Sequence, residues 1–196
     1  MEIIKPSSKA LNEAVLFLKK GGVVICPTDT VYGFLADAQN KKAVAKIFKI
    51  KNRPKSKPLS LFVKDFKMAE SLAEVDGRQA KILTLRLRSG QGKFWPGKYT
   101  FVLKRKAGAT LYGVDKKTIA LRIPNYKFLN SVLKKINRPL AQTSVNISGQ
   151  APIENVKDIL EKFTKQDILF INGGDLKKSK PSHMLDLTTE KLTKLR

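Results

Sequence analysis

Residues 40–63, "NKKAVAKIFKIKNRPKSKPLSLFV", hold a helix signal, a cationic turn and a strand signal in sequence. Asn40 is a suitable cap, and Val44, Ile47 and Phe48 recur at helical spacing. Pro54 and Pro58 stop the helix, and "PLSLFV" returns as a short buried strand. Working outward, the alternation continues. "SSKALNEAVLFLKKGG" reads as a helix ended by glycines, and "GVVICPT" as a strand stopped by Pro27. "DGRQAKILTLRLRSG" reads as a helix up to its glycine, "YTFVLK" and "TIALRIP" as strands, and "KFLNSVLKKI" as a helix. "PLAQTS", "DILFI" and "HMLDLT" complete the strands, with "IENVKDILEKF" a helix among them. Interleaved strands and helices predict a layered α/β fold with at least partly parallel strands.

The chain has 196 residues, 42% of them hydrophobic, and no low-complexity linker divides it, so residues 1–196 are expected to form one domain. The first residues, "MEIIKPSSKALNEAVLFLKKGG", lack the unbroken apolar run of a signal peptide, and no segment approaches a membrane span. A cytoplasmic protein with no membrane partner is the expectation. The only cysteine, Cys26, excludes an internal disulfide and reads as a buried strand residue. The only histidine, His183, is far from it, so no zinc spacing exists.

A formal charge of +23 points toward polyanions: nucleic acid, nucleotides or an anionic surface. Of the 39 basic residues 31 are lysine and 8 arginine, whereas bidentate recognition of phosphates and bases favours arginine. A solvated lysine-rich surface therefore stays open beside a polyanion site. The cationic segment 46–59 carries six positive charges in its first twelve positions and no acid among them. Lys51 and Arg53 stand two apart, and the residue before a proline is pushed out of the helical region, so both are expected to project from an extended turn into one cleft. No GxxxxGK[ST] or GxGxxG occurs, so side chains rather than a P-loop would hold phosphates. No Ser/His/Asp or Cys/His arrangement occurs either.

In α/β sheets, ligands gather at strand exits. "PTDTVYG" offers the hydroxyls of Thr28, Thr30 and Tyr32 around a turn, and it also reads as an ordinary capped turn. "TSVNISG" places Ser144 and Asn146 two apart, on one side of an extended segment, although both residue types are common turn formers.

Taken together, "PTDTVYGF", "KNRPKSKPL", "FWPGKYTFVLK", "LRIPN", "TSVNISG" and "PSHMLDLT" resemble, in order and spacing, the YrdC-domain family of L-threonylcarbamoyladenylate synthases, from about residue 10 to the end. The resemblance implies a twisted mixed α/β sheet with flanking helices and a basic concave groove. It implies an enzyme that combines ATP, bicarbonate and L-threonine, with Mg²⁺, and releases pyrophosphate. The product would feed a downstream threonylcarbamoyl transferase complex that modifies adenosine beside the tRNA anticodon. Carried over by position, it places Thr30, Arg122, Gln142 and Ser182 at threonine, and Arg53, Lys57, Thr118, Ser144, Asn146 and Arg196 at the nucleotide. Lys51 and Arg53 would act catalytically by offsetting anionic repulsion. Three residues depart from the family's pattern: Phe62 stands where many members have histidine, Lys57 where asparagine is common, and His183 where threonine is common. Three other readings stay open: a module that binds tRNA or double-stranded RNA, a paralogue that binds or hydrolyses the adenylate, and polar turns that only stabilise their loops.

Overall fold

The computed structural model describes residues 1–84, 94–177 and 179–195. Ten strands form one mixed sheet: β1 (Glu2–Ile4), β2 (Val23–Cys26), β3 (Gly33–Asp37), β4 (Ser60–Phe62), β5 (Tyr99–Lys104), β6 (Thr118–Arg122), β7 (Leu140–Ser144), β8 (Ile168–Ile171), β9 (His183–Asp186) and β10 (Thr193–Lys194). Their order is β1-β8-β2-β3-β7-β4-β6-β5-β9-β10. β8 lies parallel to both β1 and β2, β4 is parallel to β6, and β5 to β9; β3, β7 and β4 run antiparallel to one another in succession.

Among the described residues six helices flank the sheet: α1 (Ser8–Lys19), α2 (Lys41–Lys51), α3 (Phe66–Leu72), α4 (Gly77–Thr84), α5 (Lys127–Ile136) and α6 (Val156–Phe163). Side chains supply their starts as the sequence suggests: Ser7 caps α1 by accepting the Ala10 N–H, and Asn40 caps α2 by accepting that of Ala43. The predicted helix over 76–90 is seen as α4, and the part beyond Thr84 lies outside the described residues.

Strand alternation decides what each sheet face meets. On one face Val23, Ile25, Phe34, Leu61, Phe101 and Leu121 join Ile47 of α2 and Phe163 of α6 in the larger core. On the other, Val24, Cys26, Leu35, Phe62 and Leu140 pack with Leu18 of α1 and Leu133 of α5. α1 and α5 cover that second face only over the β1-to-β3 end and the adjoining parts of β7 and β4. Farther along, the same face turns polar, and the candidate site stands there.

Four elements are absent from the sequence reading. All five residues of β3 are buried, so it shows no in-out alternation, and it follows "PTDTVY" directly. β1, β10 and α3 have three, two and seven residues, too few for a periodic signal.

Candidate functional site

The polar stretch of the sheet floors a cavity of about 430 Å³. Gln142 and Ser144 enter it from β7, Ser60 from β4 and Thr118 and Arg122 from β6, while the neighbours Ala141, Leu61 and Leu121 face the opposite core. Residues 148–150 and the segment around Ser182 form its walls.

At one end stands Arg122, with 2% of its surface exposed. Its Nε donates to the Gly97 carbonyl at 2.9 Å, Nη1 to Thr30 Oγ1 at 3.2 Å and Nη2 to Asp29 Oδ1 at 2.5 Å. Its guanidinium lies 5.5 Å from the centre of the Phe62 ring. Phe62 thus occupies the sheet position beside Arg122 and packs an apolar ring against the cation. The "PTDTVYG" turn is both a turn and part of the site. Thr28 Oγ1 accepts the Thr30 N–H and donates to the Val31 carbonyl, which closes the turn, while the Thr30 side chain faces the cavity. Ser182 is buried, with its hydroxyl 2.9 Å from that of Thr100. Gln142 bonds Ser60 through its amide.

At the other end the basic turn differs from the extended loop expected. Asn52 is left-handed (φ 49°, ψ 47°), so the helix ends in a tight reversal at Lys51. Lys51 and Arg53 both line the cavity, yet their environments are unlike. Lys51 is 1% exposed, and its ammonium donates to Ser144 O at 2.6 Å, Asn146 O at 2.9 Å and Asn146 Oδ1 at 2.6 Å. Burial first, and then the Arg53 guanidinium, pull its pKa from an ordinary 10.5 to about 7. The three acceptors pull the other way, because a neutral amine has only two N–H groups to give. Arg53 stays more open; its Nε donates to Lys57 O at 2.8 Å and its Nη2 to Pro58 O at 2.9 Å, which folds the turn back on itself.

Lys57 has an exposed side chain that is not among the residues lining the cavity. Thr118 lines it beside Asp115, whose carboxyl the Thr118 and Lys117 N–H groups hold below the usual range. Asn146 is buried behind Ser144, whose hydroxyl donates to Asn146 Oδ1 at 2.8 Å. Arg196 lies outside the described residues. Sequence reasoning missed Asp29, the acid that pairs with the buried arginine, and Asp115, the cavity's acid. Asp29 sits inside a quoted motif, but nothing in the sequence links it to residue 122.

Residues 16–196 match the family model named for Sua5, YciO and YrdC and described as "Telomere recombination". The chain belongs to this family. A Vibrio vulnificus relative named threonylcarbamoyl-AMP synthase is 30% identical over 183 residues, 93% of this chain and 96% of that protein. Among solved structures, Pyrococcus abyssi Sua5 complexed with L-threonine superposes with a TM-score of 0.84 at 29% identity, covering 100% of this chain. This chain spans only 56% of that one. Escherichia coli YciO superposes equally well, with a TM-score of 0.84 at 27% identity, covering 100% of this chain and 93% of its own. The twisted mixed sheet expected of the family is therefore present. The larger part of the predicted site also assembles around one cavity, with Lys57 outside its lining. Among the described residues no helix is long and apolar enough to cross a membrane.

Proposed function

We propose that this protein is an L-threonylcarbamoyladenylate synthase. The observation that carries the reading is one cavity with two kinds of end: Arg122, Thr30 and Ser182 at one, and Arg53, Thr118 and Ser144 at the other. The first suits an amino acid, with a guanidinium for its carboxylate and hydroxyls for its side chain. The second suits a polyphosphate. The ten strands in one sheet support reading residues 1–196 as a single YrdC-like domain.

In this reading the threonine amine adds to bicarbonate with loss of water, giving a carbamate. A carbamate oxygen then attacks the α-phosphate of ATP and pyrophosphate leaves, so that threonylcarbamoyl-AMP forms. Both partners are anions, and Arg53 lowers their repulsion while the cavity holds them in line. Among the described residues no cluster of three His, Cys, Asp or Glu forms a metal cage. Among the described lining residues Asp115 alone brings a carboxylate, a donor set that fits Mg²⁺ carried by ATP and held chiefly by its phosphates. Bound there, the metal would neutralise charge on the leaving pyrophosphate. The product would pass to a threonylcarbamoyl transferase complex acting on tRNA, and the reaction would take place in the cytoplasm.

One observation favours a second reading, an adenylate-binding or adenylate-hydrolysing paralogue: Phe62, an apolar ring, packs beside Arg122 where many family members have histidine. One assay separates the two. Pure protein is incubated with ATP, Mg²⁺, bicarbonate and L-threonine. The synthase reading expects pyrophosphate and a threonine-dependent adenylate, with far less product from L-valine, which lacks the hydroxyl. ATP turnover that ignores threonine, or none at all, refutes it.

A further inference from the structure

The residues at the phosphate end divide into two groups once their hydrogen bonds are followed. Lys51 gives all three ammonium N–H groups to Ser144 O, Asn146 O and Asn146 Oδ1. Asn146 Oδ1 also accepts from the Ser144 hydroxyl, and Asn146 Nδ2 donates to Ile147 O at 3.0 Å and Gln150 O at 2.6 Å. Among the described residues, therefore, Lys51, Ser144 and Asn146 hold no N–H or O–H in reserve for a phosphate oxygen. Arg53 lines the same end of the cavity, with its Nε and Nη2 donating to the Lys57 and Pro58 carbonyls of its own turn.

We infer that Lys51 is a positioning residue: with Asn146 it clamps the end of α2 to the loop leaving β7 and shapes the phosphate end of the cavity without itself touching phosphate. The inference rests on the nucleotide reading of the cavity for its second half only; the clamp itself stands on geometry. Away from the clamp, the Ile153 N–H reaches the Val145 carbonyl at 2.9 Å and Lys162 Nζ donates to Gln150 Oε1 at 2.7 Å. Ser148 N–H reaches the Lys51 carbonyl at 2.8 Å, so Lys51 grips residues 144–148 from both its side chain and its backbone. Val145 N–H reaches Tyr32 O at 2.9 Å, and Gln150 N–H closes back on Ile147 O at 3.0 Å. Replacing the ammonium with a methyl leaves the Ser144 and Asn146 carbonyls without their partner and frees the loop to seek others. A ligand cation and a clamp thus predict different consequences for the same substitution.

The test compares Lys51→Met, Asn146→Leu and Arg53→Gln, read by amide hydrogen exchange over residues 145–150 and by ATP titration at several ionic strengths. The clamp expects Lys51→Met and Asn146→Leu each to speed exchange in the loop at least tenfold more than elsewhere in the protein. It expects ATP affinity to fall in both while its salt dependence stays that of the unaltered protein. Arg53→Gln should leave loop exchange unchanged, weaken ATP at least tenfold and flatten the salt dependence, because a screened charge pair has gone. Lys51→Met with native loop exchange and a flattened salt dependence would overturn the inference by making Lys51 the ligand. If that variant fails to fold, Asn146→Leu and the unaltered protein decide. In the latter, at pH 6, below the depressed Lys51 pKa, the Lys51 ammonium signal in a nitrogen-15 spectrum should not move on saturation with ATP, and a shift refutes the clamp. If ATP does not bind the unaltered protein, the nucleotide reading fails, and loop exchange in the variants still decides for or against the clamp.

Discussion

Replacing Arg122 with methionine tests both the stability and the chemistry of the amino-acid end. Asp29, whose side chain is only 9% exposed, faces Arg122 at 2.5 Å through Oδ1, while its buried Oδ2 has no hydrogen-bond partner among the described residues. Arg122→Met therefore strands a buried carboxylate rather than removing one contact. Breaking a buried pair from one side costs about 3–5 kcal/mol. For a chain of this length, 1 kcal/mol moves the melting temperature by roughly 2–4 °C, so the loss is on the order of 6–20 °C. Arg122→Met with Asp29→Leu removes both charges, and replacing a buried ion pair with apolar groups is often neutral, so most of that loss should return. Threonine binding should not return, because the guanidinium proposed to meet its carboxylate is still missing. The assay is thermal unfolding of both variants with and without L-threonine and ATP, the ligands shifting the melt in proportion to the logarithm of their occupancy. A single variant that loses under 1 kcal/mol, or a double variant as unstable as the single, refutes the stranded-charge argument. A threonine-dependent shift in the refolded double variant refutes the role of Arg122 at the carboxylate.

Two further outcomes follow from the geometry. Gly113 has φ +71°, and a Cβ there would lie 2.6 Å from Val44 Cγ1 and 3.1 Å from Phe48, so Gly113→Ala should cost about 2–4 kcal/mol from strain and overpacking together. Gly149, at φ +90° with nothing within 4 Å, should cost only about 1–2 kcal/mol on the same change, and equal melting temperatures for the two variants would contradict this. The second concerns pH. With Lys51 at about 7 in the folded state against 10.5 unfolded, the unfolded chain binds more protons between those values, so this residue adds stability as pH rises from 7 toward 10. Urea unfolding should show the unaltered protein gaining on Lys51→Met across that window, and a constant gap from pH 6.5 to 9.5 would show that the ammonium is not depressed.

How far the sequence carried depended on where information was concentrated. The helices announced themselves through caps and periodicity, as Ser7 and Asn40 show. The site motifs were visible because strand exits collect polar residues, and Thr30, Gln142, Ser144 and Ser182 do meet at one cavity. What sequence spacing could not carry was the environment of a side chain. Lys51 and Arg53 are two apart and equally basic, but the left-handed Asn52 between them buries one and leaves the other near the surface. The pairing of Asp29 with Arg122 joins residues 93 positions apart, a contact created only when the sheet brings the "PTDT" turn beside β6. β3 was hidden for a related reason: burial on both faces erases the alternation by which a strand is read.

The placement of β8 between β1 and β2 has a consequence in time. Tyr32 in the first motif is anchored by its hydroxyl to the Gly174 carbonyl, 142 residues on, and Ser179 Oγ donates to the Thr30 carbonyl across 149. At about 5–20 residues per second, a ribosome needs roughly 7–30 s to make the chain between Tyr32 and Gly174. Throughout that interval the edges of β1 and β2 lack the strand that will join them, and an unpaired edge is a template for wrong partners. The amino-acid end is thus the last part of the cavity that the emerging chain can complete, and a chain released before Ser179 has been made cannot hold its first motif in the finished geometry.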